Sequence, residues 1–178
     1  MYTISSIGQD SHRFYLQNGH ISENGDALPG ARTPGDAPRR ALILGGVTFE
    51  GSPPLMGNSD ADVVLHALCN AISGVTGVNV LGEIADRMCV EQGITDSAEY
   101  VKEAMKYLTG GRIVHISFSI ECARPAISPK IIEMRKNIAG ITGLDINGVC
   151  ITATSGEGLT DFGRGLGIQV FCVLTAMY

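Results

Sequence analysis

The segment GQDSHRF, residues 8–14, carries a carboxylate and an imidazole two positions apart. In an extended strand, residues i and i+2 project from the same face with Cα atoms about 7 Å apart, so Asp10 and His12 can converge on one ion. Two polar residues on an exposed strand face would give the same pattern. A third ligand from elsewhere in the chain would favour metal binding.

A candidate third ligand lies on the predicted helix SDADVVLHALCNAISGV, residues 59–75, for which Ser59 or Asp60 is the expected N-cap. Turning about 100° per residue, this helix has one apolar stripe, made of Val64, Leu68, Ala71, Ile72 and Val75. His66 lies on the opposite, polar face with Ser59, Asp62 and Asn70. A histidine placed there either faces solvent or lines a site.

Asp10, His12 and His66 together offer one carboxylate oxygen and two imidazole nitrogens. Three ligands of these types with a fourth position open are the ligand set of a catalytic zinc site. Asp62, one turn before His66, either holds that imidazole by a hydrogen bond or forms a capping box with Ser59. The spacing leaves both roles of Asp62 open.

A second polar cluster is TATSGEGLTDFGRGLG, residues 152–167, which connects two predicted strands. Hydroxyl groups and glycines in such a connection are typical of a loop whose backbone N–H groups approach a phosphate. Glu157 could be a ligand for a hard cation such as magnesium. Arg164 either anchors an anion or is an ordinary surface arginine.

Composition narrows the function classes. The 178 residues are 44% hydrophobic, contain no apolar tract long enough to span a membrane, and predict one soluble domain with a large core. An odd number of cysteines without a Cys-x-x-Cys pair argues against a disulfide framework, and with no secretion signal visible we expect a cytoplasmic protein. The net charge of −5 and the lack of a basic block argue against nucleic-acid binding. Bound cations would be needed to offset repulsion of a phosphorylated ligand.

The remaining pattern predicts an α+β fold, with helices on one face of a mixed sheet and a bare face that needs a partner. We expect a long loop at residues 17–40, rich in Gly, Pro, Asn and Asp. The third predicted helix begins with Ser128 as its N-cap and Pro129 at its first helical position. The apolar last strand indicates self-association. The predicted helices are 59–75, 95–111 and 128–143, and the predicted strands are 8–14, 41–49, 112–122, 148–155 and 165–178.

Six motifs of this chain resemble those of the 2-C-methyl-D-erythritol 2,4-cyclodiphosphate synthase family, an enzyme family of the non-mevalonate isoprenoid pathway, and they occur in the same order as in that family. The motifs are DSH (10–12), LGG (44–46), SDADVVLHAL (59–68), LGEI (81–84), EMR (133–135) and TATSGEGLTDFGRG (152–165). They leave mainly the long loop and the region around 87–96 uncovered. The combination is far more specific than any single motif, and it implies one synthase-like domain over residues 1–178.

The resemblance implies a metal-dependent cyclase. Asp10, His12 and His66 would bind Zn²⁺, and Glu157 would bind Mg²⁺ or Mn²⁺ together with the substrate diphosphate. The substrate would be 4-diphosphocytidyl-2-C-methyl-D-erythritol 2-phosphate, which an internal phosphoryl transfer converts to the 2,4-cyclodiphosphate with release of CMP. Family members are homotrimers with active sites between neighbouring subunits, which would cover the bare sheet face.

The resemblance also assigns the residues that contact substrate. Asn58, Ser155 and Glu157 would be catalytic, while Asp10, His12, Asn58, Ser59 and Glu83 would contact the substrate phosphates and polyol. The pocket for cytosine and the adjoining phosphates would comprise Cys122, Ala123, Arg124, Pro125, Ala126, Ala153, Thr154 and Ser155. Arg164 matches the family's arginine close to the threefold axis.

Some positions depart from the family pattern. Asn58 stands where relatives commonly carry a histidine, and an amide donates a hydrogen bond but cannot become cationic. Glu83 replaces an aspartate, and the lid over the polyol is represented by DRMCVEQGITDS, residues 86–97. These departures keep open a catalytically impaired trimeric zinc-binding homologue. A zinc hydrolase of small phosphate esters is a third reading.

Overall fold

The structure, a computed structural model, describes residues 1–15 and 40–178, so nearly all of the loop predicted at 17–40 lies outside the described residues. The main sheet has four strands in the order Thr3–Arg13 (β1), Gly167–Met177 (β6), Arg112–Glu121 (β4) and Val149–Thr154 (β5). Strands β4 and β5 are parallel, and the other pairs are antiparallel. This confirms the prediction of a mixed α+β sheet. The elements are β1 (Thr3–Arg13), β2 (Leu42–Leu44), β3 (Val47–Phe49), α1 (Val63–Thr76), α2 (Glu83–Val90), α3 (Ser97–Met105), β4 (Arg112–Glu121), α4 (Ile131–Thr142), β5 (Val149–Thr154) and β6 (Gly167–Met177).

The helices cover one face of this sheet. Helix α1 packs on β1 and β6, α4 packs beside β5, and α3 packs against both α1 and α4. Alternate residues of β6 are therefore buried beneath the helices, namely Ile168, Val170, Cys172, Leu174 and Ala176. The opposite face carries the exposed side chains of Ile7, Phe171 and Val173. Within residues 1–15 and 40–178, no helix is long and apolar enough to cross a membrane.

The single strand predicted at 41–49 is wrong, because these residues form the hairpin of β2 and β3. Gly45 and Gly46 make its turn with φ values of 59° and 72°. Positive φ at two successive turn residues is the requirement of a tight hairpin turn, and a Gly-Gly pair is a known signal for it. The hairpin is a separate two-stranded sheet.

The predicted start of α1 is also wrong, since its N-cap is Asp62 rather than Ser59 or Asp60. The Asp62 carboxylate accepts hydrogen bonds from the N–H groups of Val64 and Leu65, and also from those of Gly45 and Gly46. It thereby ties the hairpin turn to the helix start. Asp62 neither bonds the His66 imidazole nor forms a capping box with Ser59.

Helix α2 is absent from the sequence prediction, and helices α3 and α4 differ from it at their ends. Helix α3 starts after the N-cap Asp96 and ends at Met105, before the glycines expected to stop it. Helix α4 is preceded by a 3₁₀ turn, Ser128–Lys130, and the Ser128 side chain does not cap it.

Candidate metal centre

The structure brings together the two strand residues and the helix residue that the sequence singled out. Asp10 Oδ2 lies 3.0 Å from His12 Nε2 and 3.0 Å from His66 Nδ1, and the two nitrogens are 3.3 Å apart. Ligand atoms at 2.0–2.1 Å from a tetrahedral zinc ion are separated by about 3.3 Å. The three groups could thus hold one metal ion and leave a fourth position open.

A glycine in β1 allows this convergence. A Cβ atom on Gly8 would lie 2.1 Å from the Ala67 carbonyl oxygen of α1, so only glycine lets the helix approach the strand this closely. Asp10 and His12 follow Gly8 on the same strand face. His66 lies next to Ala67 on α1 and is buried, with 9% of its surface exposed. Its polar helix face therefore lines a site instead of facing solvent.

Hydrogen bonds on the far side of each imidazole set its tautomer. His12 Nδ1 lies 2.5 Å from the Met56 carbonyl oxygen, which can only accept, so Nδ1 carries the proton and Nε2 keeps its lone pair. His66 Nε2 lies 2.9 Å from Ser97 Oγ. The Ser97 hydroxyl donates to Asp60 and therefore accepts from Nε2–H, which leaves the lone pair on Nδ1. In their neutral forms, which are the forms that bind a metal, both imidazoles would therefore direct an unprotonated nitrogen to the same point.

Electrostatics favour a cation at this point. Burial by itself would raise the pKa of Asp10, but the hydrogen bonds and charges of His12 and His66 outweigh it and hold that pKa well below its usual range. Burial would lower the pKa of His12, but Asp10 raises it above its ordinary value. Asp10 is therefore a carboxylate at any physiological pH, and its charge attracts a cation.

A cavity of 290 Å³ opens beside the three groups. Its wall includes Asn58 and Ser59, two of the residues expected from the sequence to contact substrate. The Glu83 side chain does not line it, being 94% exposed and 3.9 Å from Arg87. Asp86, one turn along α2, lines the cavity in its place. Further lining residues are Asn70, Leu81, Ala85, Cys89 and Tyr100.

The residues expected to bind cytosine and phosphates form a second cluster at the ends of β4 and β5. Ser155 Oγ donates to Glu157 Oε1 at 3.1 Å, and both side chains are exposed. Glu157 has a positive φ of 50°. Ala123, Arg124, Ala126, Ala153 and Thr154 are likewise exposed, whereas Cys122 is buried and Pro125 half-buried. Burial raises the pKa of the Cys122 thiol to about 11, so it is not a thiolate at neutral pH.

The sheet separates the two clusters within one chain. Asp10 pairs with Val170, Val170 with Ile120, and Ile120 with Ala153, so these four residues form one row across the sheet. Three strand spacings put the ends of this row about 14 Å apart. Arg164 is also exposed, with Nη1 3.5 Å from Asp161 Oδ1. One chain does not bring Glu157 to the metal-ligand cluster.

Several residues that shape the site were not found from the sequence. Ser97 and Asp60 hold the His66 imidazole, and the Met56 carbonyl holds that of His12. A backbone carbonyl leaves no sequence signal, and the meeting of Asp60 with Ser97 needs the packing of α3 on α1. Gly8 did leave a signal, because glycine inside a strand often marks a close backbone approach.

Comparison with known proteins agrees with this geometry. A model of the YgbB family matches residues 4–177. The 2-C-methyl-D-erythritol 2,4-cyclodiphosphate synthase of Chlamydia felis is 47% identical over 172 residues, covering 96% of this chain and 87% of the relative. The enzyme of that name from Chlamydia caviae is 48% identical over 170 residues, covering 95% of this chain and 86% of the relative.

Two solved structures show the same fold. Bifunctional IspDF from Campylobacter jejuni has a TM-score of 0.79 at 26% identity, over 99% of this chain, which spans only 42% of that longer protein. IspF from Plasmodium falciparum, solved as a CDP complex, has a TM-score of 0.73 at 19% identity, over 99% of this chain and 98% of that one.

Proposed function

The chain belongs to the YgbB family, and from this premise we propose that it catalyses the reaction of a 2-C-methyl-D-erythritol 2,4-cyclodiphosphate synthase, a phosphorus–oxygen lyase. The observation that carries the proposal is the convergence of Asp10, His12 and His66 beside a polar cavity. The substrate is 4-diphosphocytidyl-2-C-methyl-D-erythritol 2-phosphate, and the setting is cytoplasmic isoprenoid biosynthesis. The relatives named as synthases disfavour a homologue without turnover.

Asp10, His12 and His66 would hold Zn²⁺, and Glu157 would help to hold Mg²⁺ or Mn²⁺ with the diphosphate. When bound, these cations neutralise phosphate charge and orient the reacting groups. An oxygen of the 2-phosphate attacks the β-phosphorus, the bond from that phosphorus to the bridging oxygen breaks, and CMP leaves with the electron pair. The reaction requires little proton transfer, so the protein acts by positioning and hydrogen bonding.

Hydrogen-bond donors around the phosphates supply the rest of the stabilisation. The Asn58 amide lies in the wall of the cavity and would donate to a phosphate oxygen. Ser59 would contribute its hydroxyl from the same segment. Thr154 and Ser155 would donate from the end of β5, where both are exposed. The cytosine ring would lie against residues 122–126 and Ala153. A cytidine nucleotide as ligand is supported by the Plasmodium relative, which was solved as a CDP complex.

A complete site would require two copies of the chain. Asp10 and His12 lie on the edge strand β1, and the Glu157 cluster follows the opposite edge strand β5; Asp10 and Ala153, at the two ends of one row across the sheet, are about 14 Å apart. The exposed Ile7, Phe171 and Val173 give the open sheet face an apolar strip that a second copy would cover. We therefore propose a homotrimer in which each site joins the edges of two neighbours, with Arg164 towards the threefold axis.

The acid that contacts the substrate polyol would be Asp86 instead of Glu83, because Asp86 lines the cavity and Glu83 points into solvent. Asp86→Asn is expected to raise KM about tenfold, since one charged hydrogen bond contributes roughly 1.5 kcal/mol. Glu83→Gln is the matched control on the same helix and should leave KM unchanged. Steady-state kinetics that gave the reverse order would restore Glu83 to this role.

The function is tested by incubating the purified protein with the diphosphocytidyl substrate, Zn²⁺ and Mg²⁺. We expect CMP by chromatography and a cyclic diphosphate by ³¹P NMR, in equal amounts and only with metal present. No CMP above the metal-free control would favour the impaired zinc-binding homologue. Inorganic phosphate in place of the cyclic product would indicate a hydrolase.

A further inference from the structure

Arg40 lies two residues before the β2–β3 hairpin, and its guanidinium group donates hydrogen bonds to three backbone carbonyls. Nη1 donates to the Ser59 carbonyl, and Nη2 donates to those of Leu55 at 2.6 Å and Gly57 at 3.2 Å. The three carbonyls belong to every second residue from 55 to 59, so one side chain contacts the whole of this stretch. We call these five residues the 55–59 segment.

The 55–59 segment has no regular structure beyond the isolated bridge of Phe14 with Leu55. Carbonyls outside a helix or sheet still require donors when they are screened from water. Met56 N–H donates to the Arg13 carbonyl at 2.7 Å, which fixes the start of the segment to β1. For the rest of the segment, the Arg40 guanidinium supplies the donors to Gly57 and Ser59.

The same segment contacts both imidazoles of the metal centre. The Met56 carbonyl accepts from His12 Nδ1, and Ser59 Oγ lies 3.4 Å from His66 Nε2. Asn58, between them, lines the cavity. Any shift of the 55–59 segment would therefore change the partners of two metal ligands and the place of one substrate contact together.

We propose that Arg40 is a positioning residue for the metal centre, which holds the 55–59 segment so that the Met56 carbonyl keeps His12 in its Nδ1–H tautomer. The inference rests on the metal site of the proposed function. A planar guanidinium carries its donors on separate nitrogens in a fixed fork, so Nη1 reaches the Ser59 carbonyl while Nη2 reaches those of Leu55 and Gly57, whereas the three donors of an ammonium radiate from one atom. A lysine ammonium keeps the charge but cannot span the segment.

Arg135 provides a matched control. Its guanidinium likewise donates to backbone carbonyls, from Nε to Val149 at 2.6 Å and from Nη2 to Ile146 at 2.8 Å. These contacts join α4 to the start of β5, and none of the three residues lines the cavity. A purely structural role for Arg40 predicts the same behaviour from Arg40→Lys and Arg135→Lys.

The test compares zinc affinity, by competition with a chromogenic chelator, in wild type, Arg40→Lys and Arg135→Lys. We expect Arg40→Lys to bind zinc about 10–100-fold more weakly, the usual cost of losing a residue that orients a ligand. Arg135→Lys should bind zinc as wild type does, although its Tm falls. In the zinc-bound protein, the His12 Nδ1–H signal in ¹H–¹⁵N spectra should be protected from exchange with water in wild type and should exchange faster in Arg40→Lys, because the variant loosens the Met56 carbonyl that accepts from it.

Equal zinc affinity in wild type and Arg40→Lys would overturn the inference, as would an equal loss in Arg135→Lys. Arg40→Gln, whose amide donates to at most two carbonyls, gives the same comparison if the lysine variant does not fold. Zinc affinity is independent of the CMP assay. A wild-type protein that binds zinc without releasing CMP would therefore remove the proposed function and leave the role of Arg40 to be decided by the variants.

Discussion

Replacing His66 by alanine is expected to remove the bound zinc and abolish CMP release. His66 supplies one of the three ligand atoms, and zinc sites with four ligands bind with about 10–16 kcal/mol in total. The loss of one ligand should then weaken binding by roughly 3 kcal/mol, which is more than a hundredfold. The substrate also loses its alignment, so turnover should fall further than metal content.

The measurement is zinc content by elemental analysis, made alongside the CMP assay. Ser97→Ala is the graded comparison, because it keeps Nδ1 as a ligand and removes only the partner of Nε2. We expect Ser97→Ala to retain zinc at high concentration and to bind it about tenfold more weakly. Circular dichroism should show that both variants are folded. A His66→Ala protein that kept one zinc per chain would show that the ligand assignment is wrong.

The four strands of the main sheet and the ligand set could be predicted because they follow from short, strict periodicities. Residues two positions apart in a strand lie on the same face, and this rule predicted that Asp10 and His12 of β1 lie side by side. Helix α2 was missed because only eight residues carry its pattern, with Ala85 and Met88 as its buried residues. A helix of this length is stabilised by packing against its neighbours more than by its own propensities.

The orienting residues of the metal centre depend on where α1 begins. Both Asp60 and Asp62 precede His66, and the sequence left open whether Asp62 holds the His66 imidazole or caps the helix with Ser59. The helix begins after Asp62, which turns that carboxylate to the N–H groups of the first turn and of the Gly45–Gly46 turn. Asp60 is left to accept from Ser97, which in turn accepts from His66. A displacement of two residues in the helix start thus exchanged the roles of two aspartates.

The proposed homotrimer with sites shared between subunits is tested most directly by forming mixed assemblies of two variants. His66→Ala and Glu157→Gln are each expected to be poorly active alone, the first without zinc and the second with zinc but with slow turnover. When the two proteins are unfolded together and refolded, some sites should combine an intact His66 from one chain with an intact Glu157 from its neighbour. Random assembly in equal amounts should restore roughly a quarter of wild-type activity.

The control is a mixture of His66→Ala with Asp10→Ala. Asp10 and His66 belong to one cluster within one chain, with Oδ2 and Nδ1 3.0 Å apart, so no mixed trimer of these two variants contains an intact cluster. This mixture should stay inactive, while native mass spectrometry shows that mixed trimers have formed. Recovery in the control would mean that the ligands come from different chains. If mixed trimers form but activity does not recover in the His66 and Glu157 mixture, the proposal that two neighbouring chains share one site would be wrong.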